Sequence, residues 1–139
     1  MPVLNRIQGT RIVSTPQALD AAAFPQDALV LRLASDEVFV MAQKSDSSAL
    51  RAQESDFLLA DPHAIVEPDA GFAGAWVNMP EAMSFLERAC EWELPSQRPA
   101  FVQGAVAGLA MKLWFEKDRV LFLVPAPYAA DLEGRLNGC

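Results

Sequence analysis

Residues 101–136 read FVQGAVAGLAMKLWFEKDRVLFLVPAPYAADLEGRL, and this stretch decides how the rest of the chain is understood. Gly104 and the pair Ala107-Gly108 punctuate its first part, and Glu116-Lys117-Asp118 is a polar turn between apolar runs. Two hairpin arms are expected there. A third strand then runs into a helix through Val124-Pro125-Ala126-Pro127-Tyr128, with Pro127 at the helix start. Side chains alternate across a strand, so Met111, Leu113 and Phe115 belong to one face and Lys112 and Trp114 to the other. The first face is core. The second carries a cation beside a large aromatic, and either a helix of this chain or another protein covers it. The segment contains no His and no Cys.

Upstream, Asn78-Met79-Pro80-Glu81 opens the best helix in the chain, with Asn78 as its cap and Glu81 at the capping-box position. Ala82, Phe85, Leu86, Ala89 and Cys90 recur at helical spacing and define its apolar face. A loop follows over 91–99, stiffened by Pro95 and Pro99, with Trp92 and Leu94 tucked beneath it. Ala64–Glu67 and Gly71–Val77 read as two strand arms around a turn at Pro68-Asp69-Ala70. Nearer the N-terminus, Thr15-Pro16 begins a short helix, and Ala28–Leu33 with Val38–Ala42 forms a hairpin about Ala34–Glu37. Ser45–Ser48 is expected to be a loop, Ala49–Ala52 a short helix, and Phe57–Leu59 a brief strand or buried anchor. The order predicts one α+β domain over residues 1–139, its sheet mostly antiparallel and packed with helices.

Composition narrows the function classes. Apolar residues make up 52% of the 139, enough for a globular core and too many for a disordered chain. The apolar runs stop well short of the ~20 residues needed to span a bilayer. No basic-then-apolar signal segment opens the chain, so a bacterial-type cytoplasm is the expected location. A net charge of −7 with scattered basic residues disfavours nucleic acid as a partner. Cys90 and Cys139 do not make a disulfide framework.

The residues offer little catalytic chemistry. His63, with Asp61 and Glu67 nearby, is one ligand where a zinc site needs three or four, and it lacks an orienting partner for base catalysis. Cys90 lies at the wrong end of its helix for an activated thiolate. Glu67 and Asp69 are expected to be solvated turn acids. Gly71-Phe72-Ala73-Gly74 lacks the lysine and the spacing of a phosphate loop. No catalytic residue and no metal site are assigned. Trp76, Lys112, Trp114 and Tyr128 are the candidate surface for a ligand or partner.

One family resemblance is visible. The run from Val77 to Ala82, Phe85–Leu94, and the stretches Pro99–Gly104, Val106–Gly108, Lys112–Trp114 and Leu121–Ala129 resemble the gamma subunits of sarcosine oxidase. So do Leu31–Val40 and Ala64–Glu67. The resemblance implies a folate-binding fold of the aminomethyltransferase N-terminal type. It also implies an accessory subunit of an oxidoreductase in one-carbon, amine-oxidising metabolism, whose larger subunits hold the cofactors. The chain itself would then hold no cofactor, although the fold leaves folate open. Its partners would be oxidase subunits or further copies of itself, with no membrane involved. The alternative is a stand-alone domain that binds a small molecule of folate type. An independent hydrolase or transferase would need a nucleophile and base that these residues do not assemble.

Overall fold

The computed structural model of the protein describes residues 2–42 and 57–138. The loop expected at Ser45–Ser48, the helix at Ala49–Ala52 and Cys139 lie outside the described residues. The elements in chain order are β1 (Asn5–Val13), α1 (Pro16–Ala21), β2 (Ala28–Ala34), β3 (Glu37–Ala42), β4 (Ile65–Asn78), α2 (Met79–Ala89), β5 (Ala100–Val106), β6 (Leu109–Phe115), β7 (Arg119–Pro125) and α3 (Ala129–Asn137). A 3-10 turn, Ala126–Tyr128, joins β7 to α3, and residues 57–60 are helical. The chain packs as two compact units, Gln8–Ala70 on the one hand and Met1–Ile7 with Gly71–Cys139 on the other. It leaves the larger unit within β1 and returns to it within β4.

In the smaller unit β3 pairs antiparallel with both β2 and β1. Val40 lies opposite Thr10 on one side and Val30 on the other. Ile12, Val38 and Val40 share a core with Leu19 of α1 and with Phe57. Thr15 caps α1 by accepting a hydrogen bond from the Ala18 N–H at 3.1 Å, and Pro16 opens the helix. Phe57 is thus the buried anchor, 5.9 Å from Phe24 between ring centroids, while its backbone is helical and not a strand.

The larger unit carries the antiparallel order β4-β7-β6-β5. Its β5–β6 turn is the expected one: Ala107 and Gly108 have φ of 52° and 79°, the left-handed pair that lets a two-residue hairpin follow the strand twist. Val77–Val120–Phe115 and Ala75–Phe122–Leu113 form cross-strand rows on the face that receives the helices. Phe85 and Leu86 of α2 and Leu132 of α3 pack on these rows in one core. The Asn78 side chain caps α2 by accepting from the Glu81 N–H at 3.0 Å.

Two expectations are corrected. β1 was not anticipated at all, because NRIQGTRIV mixes Arg6, Gln8 and Arg11 with few apolar residues. The two arms expected around Pro68-Asp69-Ala70 are one 14-residue strand, β4. The backbone runs extended from Ile65 to Asn78, so nothing at 68–71 reverses the chain.

Candidate functional site

The sheet face of the larger unit opposite its helices gathers most of the expected surface residues. Leu121 of β7 is in register with Trp76 of β4 and with Trp114 of β6, and Trp114 with Phe101 of β5. Directly opposed residues share a face, so the row Trp76–Leu121–Trp114–Phe101 is continuous across four strands. Lys112 belongs to the adjacent row, opposite Leu123 and Gln103. Its Nζ stands 5.2 Å from the ring centroid of Phe72. Tyr128 is not part of the row: it follows β7 in the 3-10 turn, with its side chain exposed.

Two residues overlooked in the sequence tie the tryptophans together. The Arg119 guanidinium lies over the Trp76 ring, 3.6 Å from its centroid. Arg119 Nε donates to Glu116 Oε1 at 2.8 Å, and Trp114 Nε1 donates to Glu116 Oε2 at 3.1 Å. Burial pushes the Glu116 carboxyl up, but Arg119 and the Trp114 indole together hold it below the usual carboxylate value. A cation–π contact, an ion pair and an indole hydrogen bond therefore run from Trp76 to Trp114. The signal was present in the sequence, since Glu116 and Arg119 flank the turn at Lys117-Asp118 and alternate onto the tryptophan face. The ion pair is partly exposed and contributes about 0–1 kcal/mol, so its role is to orient two rings more than to stabilise the sheet.

On the opposite, helix-bearing side a hollow of about 840 Å³ lies between α2, the β5–β6 turn and α3. Phe85, Ala89, Ala107 and Ala130 give it an apolar lining. Arg88, Glu91, Asp131 and Arg135 supply charge around it. Asp131 and Arg135 pair with each other at 2.9 Å.

The remaining candidates are dispersed. His63 is exposed and its backbone N–H donates to Asp61 Oδ1 at 3.0 Å, an Asx-type contact and not a base poised for proton transfer. Glu67 accepts from Arg11 Nη1 at 2.8 Å and Glu37 from Arg11 Nε at 2.9 Å, so Glu67 belongs to a surface ion network within a strand rather than to a solvated turn. Cys90 is half-buried at the end of α2, its Sγ 3.3 Å from the Trp92 carbonyl. Gly71–Gly74 lies inside β4. Among the described residues, no three His, Cys, Asp or Glu converge on a place for a metal ion, and no helix is long and apolar enough to cross a membrane.

Asp61 has a structural task. Its Oδ2 accepts from the buried Ser14 hydroxyl at 2.8 Å. That bond and the His63 N–H hold its carboxyl below the ordinary value. A lowered folded pKa means a stabilisation that is complete above the unfolded value of roughly 4 and disappears as pH falls through the folded one. The melting-temperature gap between the wild type and Asp61→Asn is therefore expected to narrow as pH is lowered from neutrality to below about 3. A gap of constant size across that range would show that the charge on Asp61 contributes nothing.

No family model matches the chain, and no curated protein matches it. Among solved structures it is similar to the regulatory subunit of aspartate kinase from Thermus thermophilus in its ligand-free form. The TM-score is 0.52 at 13% identity, over 99% of this chain and 96% of that one. The same subunit from Thermus flavus aligns at a TM-score of 0.48 and 14% identity, over 99% of this chain and 95% of that one. The fold is thus ACT-like, and the folate-binding fold is overturned, as is membership of the sarcosine oxidase gamma family. The physical reason is that the resembling stretches, a capped helix and a strand running through Pro125 into a helix, are local devices common to many α+β folds. The accessory-subunit reading falls with the family, and an oxidase partner with it.

Proposed function

We infer that this protein is a non-catalytic regulatory module that binds a small ligand. The observation that carries the reading is the correspondence, along nearly the whole chain, with a subunit described as regulatory and crystallised free of its ligand. The half-buried Trp76, Lys112 and Trp114, which flank the buried Leu121 and Leu123, form the edge offered to the ligand or to the protein under control, with the exposed Tyr128 standing apart in the turn after β7. It combines aromatic rings with Lys112 and with the paired Arg119 and Glu116, a lining suited to a small planar group. The polypeptide partner is the regulated protein or a further copy of this chain.

Calorimetric titration of the whole chain against a panel of small metabolites tests this directly. At least one compound is expected to bind saturably, and Arg119→Ala is expected to weaken it about tenfold, the scale of one lost charge-assisted contact. A panel without a binder would sink the ligand reading. Undiminished binding to Arg119→Ala would move the seat away from this face.

A further inference from the structure

β5 is the outermost strand of the order β4-β7-β6-β5, paired among the described residues with β6 alone. The turn at Ala107-Gly108 makes Val106 and Leu109 the hydrogen-bonded pair that closes the hairpin. Bonded and non-bonded pairs alternate along an antiparallel ladder. The backbone groups of Ala105, opposite Ala110, therefore point away from β6, as do those of Gln103 and Phe101. An outer edge of this kind is a template for another strand. The common protections are missing from β5 itself, since AFVQGAV holds no charged residue and no proline.

What lies against this edge is the segment between α2 and β5. The Ala107 N–H donates to the Ala89 carbonyl at 3.0 Å, and Trp92 Nε1 donates to the outward carbonyl of Ala105 at 2.8 Å. The indole also lies on Gly104, where an added Cβ would stand 2.9 to 3.0 Å from three of its atoms. Glycine weakens a strand interior, and at this position the ring occupies the space that a side chain would take. Glu91 and Glu93, both exposed, flank Trp92 and place like charges beside an uncharged strand. At the far end Arg98 folds back on the segment, its Nη1 donating to the Pro95 and Gln97 carbonyls at 2.7 and 2.8 Å.

We propose that residues 90–98 are a strap that shuts the β5 edge against strand addition, with Trp92 as its latch. The hold is one side-chain hydrogen bond and one ring seated on a glycine, not a backbone ladder. The strap can therefore lift without unpairing β5 from β6. With the latch released, β5 offers an uncharged, proline-free edge on which a second extended segment forms a ladder. Glu91 and Glu93 act in the same direction, because two such edges meeting with their straps in place bring like charges together.

Sedimentation velocity on the full chain, over a concentration series at physiological salt, tests this with β5 of another molecule as the incoming strand. Trp92→Phe keeps a ring over Gly104 and removes the donor. It is expected to bring on association at about five- to tenfold lower concentration than in the wild type, the scale of one lost hydrogen bond. Trp92→Ala removes the ring as well and is expected to go further. Ala105→Pro takes away an outward N–H, breaks no bond to β6 and keeps the carbonyl that Trp92 holds. Added to either variant, it is expected to return association to the wild-type level. Circular dichroism confirms that each variant folds, and Trp92→Phe decides should Trp92→Ala not fold. Association unchanged by the Trp92 substitutions, or raised by them but indifferent to Ala105→Pro, overturns the proposal. Wild-type association through any other surface survives Ala105→Pro, and ligand binding is read separately, so the regulatory reading stands or falls on its own.

Discussion

Phe122→Ala is expected to destabilise the protein by about 3–5 kcal/mol, the range for emptying a buried aromatic site. Phe122 is 0% exposed and central in its row, between Ala75 on β4 and Leu113 on β6. Its ring meets that of Phe85 on α2 edge to face, at 5.9 Å and 73°. Truncation removes the transfer energy of the ring and the contact that seats α2 on the sheet, and the small Ala75 neighbour cannot fill the space. Urea unfolding followed by circular dichroism measures it. A loss below about 1 kcal/mol would mean that the helix does not depend on this row.

Gly74→Ala is expected to cost about 1–3 kcal/mol, although it adds a single methyl group. A Cβ at Gly74 would come within 2.7 Å of Leu123 Cδ2 and 2.8 Å of the Phe122 carbonyl oxygen. The leucine tip can turn aside, but a backbone oxygen in a paired strand cannot, so β4 would have to separate locally from β7. Gly134→Ala is the matched control. Its added methyl meets nothing, and alanine favours helix over glycine by about 1 kcal/mol, so a small gain is expected there. The same urea measurement on both variants should give opposite signs. Equal effects would remove the close approach of β4 and β7 as the cause.

Much of the larger unit was legible from local chemistry. Ala107-Gly108 fixes a two-residue reversal, Asn78 and Glu81 start α2, and the alternation of Met111, Leu113 and Phe115 against Lys112 and Trp114 assigns the two faces of β6. Each of these depends on neighbours within a few positions. The failures have the opposite character. Pro68-Asp69 imitates a turn, yet the backbone passes through it extended, within one strand from Ile65 to Asn78. Asn5–Val13 is too polar to announce itself, and it becomes a strand because β3 supplies a partner. The candidate face was half legible. Trp114 and Lys112 followed from alternation, but their alignment with Trp76, and the bridge through Arg119 and Glu116, depend on the register of three strands.

The misplaced family has the same origin. Caps, hairpins and proline-led helices recur across α+β proteins and carry no statement of which strands lie side by side. By itself the sequence determined the hairpins, the capped helices, the core face of the sheet from Phe101 to Pro125 and the two sides on which Trp114 and Met111 lie. Those properties follow from backbone sterics and side-chain alternation, which act over two to four residues. Only the tertiary structure decided that the chain leaves the larger unit in β1 and re-enters it in β4, and that Trp76 and Trp114 share one row. Each of those depends on pairing between residues far apart in the chain, where the winning register is the one that buries Phe122, Leu113 and Val120 together.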